Sequence, residues 1–135
     1  MDRTKHLLKY ITKEKLGLEI GPYIHPLASK REGYNVKILD VFTNEELINR
    51  SENDCHLNES DTSRIEKVDF VMSAQEIGSI EELKGRCDYI LSSHNLEHIP
   101  NPILFLQGCT QVLRPDGIIS IALPDYRCCW DRFRP

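Results

Sequence analysis

Short apolar runs recur along the chain, separated by mixed segments whose apolar positions repeat at a helical period. Residues 3–14 set Leu7, Leu8 and Ile11 among Lys and Thr, which predicts an amphipathic N-terminal helix within residues 1–15. Leu16–Ile20 reads as a buried strand that stops at the Gly21-Pro22 turn. Pro26, which also restricts His25, excludes a long helix over 22–34. Asn35–Leu39 is a second strand ending at Asp40, and Thr43 with Glu46 forms a capping box for a helix to about residue 50. Residues 51–64 are polar apart from Leu57 and are expected to be a mobile surface loop. Val68–Met72 is a third strand, and Ser79–Leu83 reads as helical turns capped by Ser79 and stopped by Gly85. Cys87–Ser92 is a fourth strand. Pro102–Leu113 is a helix with proline in its first turn and with Ile103, Leu106, Cys109, Thr110 and Leu113 at helical spacing. After a Pro115-Asp116-Gly117 turn, Ile118–Leu123 is a fifth strand. Near-continuous apolar strands alternating with helices imply a parallel sheet covered on both faces, a doubly wound α/β domain with right-handed crossovers. One domain accounts for residues 1–135.

Composition narrows the reading. Hydrophobic residues at 40% and charged residues at 28% suit a folded globular chain. A net charge of -4 argues against a nucleic-acid partner, which wants a basic face. No apolar run approaches the roughly 18–20 residues that span a bilayer. No secretory leader is evident, so a cytoplasmic protein without membrane contact is expected. The five cysteines, including the adjacent Cys128 and Cys129, contain no C-x-x-C pair and read as reduced thiols.

In such a sheet, ligands bind at the carboxyl ends of the strands, where the strand order reverses. Those ends are Glu19 to Tyr23, Asp40 to Phe42 (with Val41 between), Met72 to Ala74, Ser92 to His94, and Pro124-Asp125. Gly21 lets the chain turn and approach a ligand closely. Asp40, nineteen positions later, is placed to accept both hydroxyls of a ribose. A bare turn at Gly21-Pro22 and a helix-capping Asp40 are the alternative. The segment Gly21–Pro26 has one glycine and no following helix, so a pyrophosphate cradle is not expected, and a nucleoside cofactor without phosphates fits better.

Four segments carry a family resemblance: Gly17–Pro22 (GLEIGP), Val36–Asp40 (VKILD), Asp88–Pro100 (DYILSSHNLEHIP) and Val112–Pro124 (VLRPDGIISIALP). The chain resembles class I S-adenosylmethionine-dependent methyltransferases from about residue 16 onward. The resemblance implies a Rossmann-like methyltransferase fold that lacks its last strands. It also implies methyl transfer from S-adenosyl-L-methionine to an oxygen, nitrogen or carbon acceptor of small-molecule or sugar type, releasing S-adenosyl-L-homocysteine. By position, Glu19, Gly21, Pro22 and Tyr23 would bound the methionine end, and Asp40 with Val41 would hold the ribose. Met72, Ser73 and Ala74 would border the adenine, and Ser93 and His94 would floor the reactive sulfonium. Tyr23 and His25 stand where the family has further glycines. They would narrow the methionine pocket or replace contacts from the lost helix. The family adds two strands after the fifth. Either the chain is a fragment, or a second copy covers the exposed edge of the fifth strand in a homodimer. A non-catalytic cofactor-binding or interaction module is the alternative function.

His94-x-x-Glu97-His98 also matches an inverted zinc-protease pattern, so a zinc hydrolase is a remote alternative. Pro100 and Pro102 leave little helix for it, and no metal is expected. His94 is the candidate for proton transfer, with a passive role equally open. Arg127, Arg132 and Arg134 would clamp an anionic substrate or form a solvated terminus, beside Tyr126, Trp130 and Phe133.

Overall fold

A computed structural model describes residues 3–125 and 127. Five strands, β1 Gly17–Ile20, β2 Val36–Asp40, β3 Phe70–Val71, β4 Cys87–Ser93 and β5 Leu113–Ala122, pair in the order β3-β2-β1-β4-β5. Every pairing is parallel. The α-helices are α1 Arg3–Leu7, α2 Asn44–Glu52, α3 Glu59–Thr62 and α4 Pro102–Val112. This is the Rossmann-like doubly wound α/β architecture that the alternation of strands and helices predicts. All four residues of β1 are buried because layers cover both faces of the sheet. On one face Leu18, Ile20, Leu39 and Ile90 pack against Phe105, Cys109 and Val112 of α4 and against Ile77 and Leu83. On the other, Val36, Tyr89 and Leu91 meet Leu7, Ile11, Leu27 and Ala28, while Ile38 packs with Leu47 of α2.

Several local expectations shift. The N-terminal helix closes after Leu7 rather than running through residues 1–15, although Leu7 and Ile11 are both buried as their spacing requires. The chain must extend toward β1, and the Lys13 carbonyl is taken by Asn35 N–H at 2.9 Å. Residues 51–64 are not one loop. α2 runs on through Ser51, and Asn58 with Asp61 forms a second capping box that starts α3. Polar side chains satisfy the backbone there, as when the buried Ser51 donates to the Ile48 carbonyl at 2.7 Å. The third strand shrinks to two residues, because Val68 N–H donates to Asn44 Oδ1 rather than to a neighbouring strand. Residues 74–83 form two 3-10 turns, Ala74–Ser79 capped by Ser73 and Glu81–Leu83, so Ser79 is not the cap.

α4 turns a different face inward. Phe105, Gly108, Cys109 and Val112 are buried, whereas Ile103 and Leu106 are 69% and 40% exposed. Both stripes have helical spacing, but only the inward one carries Gly108, where a Cβ would stand 2.5 Å from Ile77 and 2.9 Å from the Gly78 nitrogen, so this face lets α4 approach the neighbouring 3-10 turn closely. β5 begins at Leu113, earlier than expected. Between the pairs Cys87↔Leu113 and Tyr89↔Ile118 the chain bulges through Arg114–Gly117. Arg114 there pairs with Asp88 at 2.9 Å. The outer edge of β5 meets no further strand among the described residues. α1 lies against β5, with the Ser120 hydroxyl donating to the Leu7 carbonyl at 3.0 Å. None of the described helices is long and apolar enough to cross a membrane.

Candidate functional site

The strand order reverses between β1 and β4, so a crevice opens at their carboxyl ends. Gly21 leaves β1 at φ +55, with its N–H on the Leu39 carbonyl at 2.8 Å. A Cβ at this position would stand 2.7 Å from Asn95 Oδ1, and L residues rarely adopt this backbone. Asn95 Nδ2 in turn donates to the Ile20 carbonyl at 2.6 Å and to the Ser93 carbonyl at 3.1 Å. One amide therefore laces the ends of β1 and β4 together.

Asp40, at the end of β2, is 7% exposed, and its Oδ1 accepts from Phe42 N–H at 3.0 Å. Burial pushes its carboxyl above the usual range, against the Phe42 and Val41 N–H groups and the Arg50 charge. A cleft of about 220 Å³ lies between these strand ends. Of the residues that the sequence nominates, it is lined by Gly21, Asp40, Val41, Ser73 and Ala74. Ile20, Leu39, Asn95, His98, Ile99 and Pro100 complete it. A second cleft of about 190 Å³ shares Gly21, Asp40, Val41 and Asn95 and adds Tyr23, Phe42 and Arg50. The Arg50 guanidinium lies 4.2 Å over the Phe42 ring.

The remaining nominated residues stand elsewhere. Glu19 lines neither cleft. It is 2% exposed, and its two oxygens accept from Leu27 N–H at 2.8 Å and Ala28 N–H at 3.1 Å. Burial raises its carboxyl to about 7, against the pull of those two N–H groups and with the help of Glu66 nearby. Glu66, also buried, accepts from the Ser29 hydroxyl and from Lys30 N–H at 3.0 Å. Two carboxylates thus hold the stretch where a helix would otherwise have followed β1. Glu66 lies beyond what spacing alone reveals, since it follows a polar run and its partners are far along the chain. Pro22, Met72 and Ser93 line neither cleft. The Pro22 carbonyl accepts from His25 N–H, Met72 N–H reaches the Asp40 carbonyl, and Ser93 pairs with Ala122. Tyr23 takes a left-handed backbone, φ +48, at a position where the resemblance puts glycine. His25 is exposed and lines neither cleft.

His94 is the second non-glycine residue with positive φ, at +56, and its N–H is fixed on the Ala122 carbonyl at 2.9 Å. Its Nε2 lies 2.8 Å from the Arg3 guanidinium, and its Nδ1 lies 3.8 Å from Glu97 Oε1. Leu96–His98 is a 3-10 turn, not a helix presenting two histidines on one face. The zinc-hydrolase alternative therefore lacks the helical ligand geometry it needs. Among the described residues, the group close enough to share a metal is the exposed Asp54, Cys55 and His56, remote in sequence from that pattern. Arg127 pairs with Asp125 through Nε at 2.9 Å. Tyr126, Cys128, Cys129, Trp130, Arg132, Phe133 and Arg134 lie outside the described residues.

Comparison with known proteins gives the same direction. No curated protein matches the chain. Among solved structures, it is similar to a SAM dependent methyltransferase from Aquifex aeolicus, at 18% identity and a TM-score of 0.56. That alignment covers 88% of this chain and 62% of the other. It is also similar to the PH0226 protein of Pyrococcus horikoshii OT3, at 21% identity and a TM-score of 0.59, over 90% of this chain and 55% of the other. The chain therefore spans a little over half the length of these two structures, and at such identities the likeness establishes the fold. The sequence pattern of one family, described as "Methyltransferase domain", matches residues 1–133. This chain belongs to the methyltransferase domain family.

Proposed function

We propose that the domain binds S-adenosyl-L-methionine at the crevice between β1 and β4 and serves methyl transfer to a small-molecule or sugar-type acceptor. The observation that carries the reading is the meeting of Gly21 and the buried Asp40 at one cleft. The donor set suits a nucleoside. A carboxylate stands ready for two hydroxyls, and apolar Ile20, Leu39, Ala74 and Ile99 give a flat base somewhere to lie. At Gly21 the positive φ and Asn95, whose Oδ1 a Cβ would meet at 2.7 Å, call for glycine, so the end of β1 presents backbone and no side chain at the cleft. Neither cleft alone reaches the roughly 300 Å³ of an ordinary ligand pocket, but the two meet around Asp40 and Asn95. Asp40 would hold the ribose, Ser73 and Ala74 would border the adenine, and the Tyr23 side would take the amino-acid end. When bound, the cofactor supplies a sulfonium-activated methyl group. The protein's own part is to align acceptor and methyl and to exclude water.

Calorimetric titration with S-adenosylhomocysteine tests this. Micromolar binding is expected for the 135-residue chain, and Asp40→Ala is expected to weaken it by at least about thirtyfold, the loss of charge-assisted hydrogen bonds worth about 2 kcal/mol or more. Equal binding by the folded variant would remove Asp40 from the site. No binding by the folded parent chain would end the cofactor reading.

A further inference from the structure

We propose that Arg3 is an acceptor-recognition residue that binds a carboxylate of the methyl acceptor and, in doing so, uncovers Nε2 of His94. The proposal rests on the function proposed above. A guanidinium has only donors, so the 2.8 Å contact from Arg3 requires a lone pair on His94 Nε2. The ring is then neutral with its proton on Nδ1, the side that faces Glu97 Oε1. In this arrangement Arg3 covers the one atom through which His94 would accept a proton.

Both partners are held in place by the fold. Arg3 and Leu7 are four positions apart on α1 and share a face. Leu7 is buried in the core, and its carbonyl takes the Ser120 hydroxyl, so the helix is fastened to β5 one turn from Arg3. His94 is fixed by its left-handed backbone and its bond to Ala122. The Arg3 side chain is exposed and can change partner. A planar guanidinium binds a carboxylate through two parallel, charge-assisted hydrogen bonds, a stronger match than a single imidazole nitrogen. An arriving carboxylate therefore draws Arg3 away from the ring. If the same acceptor carries a hydroxyl or amine, its O–H or N–H bond breaks and an Nε2–H bond forms. The electron pair stays on the oxygen or nitrogen that takes the methyl. Glu97, whose Oε2 is buried without a partner among the described residues, is the carboxylate beside the resulting imidazolium. The substrate class is thus a carboxylate-bearing alcohol, phenol or amine.

The test follows the His94 ring nitrogens by NMR while sodium acetate is added, with sodium chloride as the ionic-strength control. The titration is run with and without S-adenosylhomocysteine. In the parent chain, acetate is expected to move the Nε2 resonance saturably toward that of an uncontacted imidazole. Arg3→Ala should begin at that position and respond at least tenfold more weakly, with S-adenosylhomocysteine affinity within about twofold of the parent. Arg3→Lys, which keeps the charge but not the fork, should fall between. No acetate response in the parent, or an equal response in Arg3→Ala, overturns the proposal. Failure of the parent to bind S-adenosylhomocysteine would sink the cofactor reading separately, and the acetate titration would still decide the role of Arg3.

Discussion

Gly17→Ala is expected to destabilise the domain by about 3 kcal/mol, the upper part of the range for forcing extra atoms into a packed core. Gly17 sits beside Tyr89 where β1 and β4 pair. A Cβ on Gly17 would come within 2.0 Å of the Tyr89 ring, a distance that no rotamer adjustment of the alanine can relieve. The ring must move, yet Tyr89 has no exposed surface and is enclosed by Leu7, Leu27, Val36 and Leu91. Against a total stability of about 5–15 kcal/mol, such a loss is large. Urea unfolding followed by circular dichroism measures it. Tyr89→Leu alone should also destabilise, by leaving a cavity. The double variant should lose clearly less than the two single losses combined, because the smaller side chain leaves room for the new methyl. Additive losses would show that the ring is not what limits position 17.

The second large effect is on pH. Glu19 moves from an ordinary 4.5 to about 7 on folding, chiefly through burial. The folded state therefore keeps a proton that the unfolded chain gives up between these values. Stability from this group is full below about 4.5, falls as pH rises toward 7, and is level above that. At about 1.36 kcal/mol per pH unit, roughly 2–3 kcal/mol should be lost between pH 5 and pH 8. This runs opposite to the usual salt-bridged carboxylate. Asp40 is raised by burial too, so its contribution has the same sign, with stability falling as pH rises through its titration. Glu19→Gln keeps one acceptor for Leu27 or Ala28 and removes the titration, so its unfolding midpoints in urea should change far less between pH 5 and pH 8. An unchanged slope in that variant would mean that Glu19 does not carry the effect.

The parts legible from the sequence are those set by neighbours along the chain. The apolar runs of β1, β2 and β4 announce strands buried on both faces, and Thr43 with Glu46 announces the start of α2. Gly21 and Asp40 were readable because each ends a strand whose limits were clear. Asn95 was not, since its importance lies in reaching the carbonyl of Ile20 across the sheet. Arg3 was hidden for the same reason, and its His94 contact spans 91 positions. α4 was recognisable as a helix, but its inward face was not, because apolar residues nearly encircle its first two turns. Leu104 and Leu106 look as buriable as Phe105 until the neighbouring elements are in place.

The pair of carboxylates behind β1 also bears on the order in which the chain folds. Glu19 reaches Leu27 and Ala28 across eight and nine positions, a small loop to close. Glu66 reaches Ser29, Lys30 and Arg31 across 35 to 37 positions, and β2, α2 and α3 all lie between. The half of this segment held by Glu19 can settle once β1 has formed, while the half held by Glu66 must wait for more than thirty further residues to be placed. In pulse-labelled hydrogen exchange during refolding, the amides of Leu27 and Ala28 should gain protection before that of Lys30.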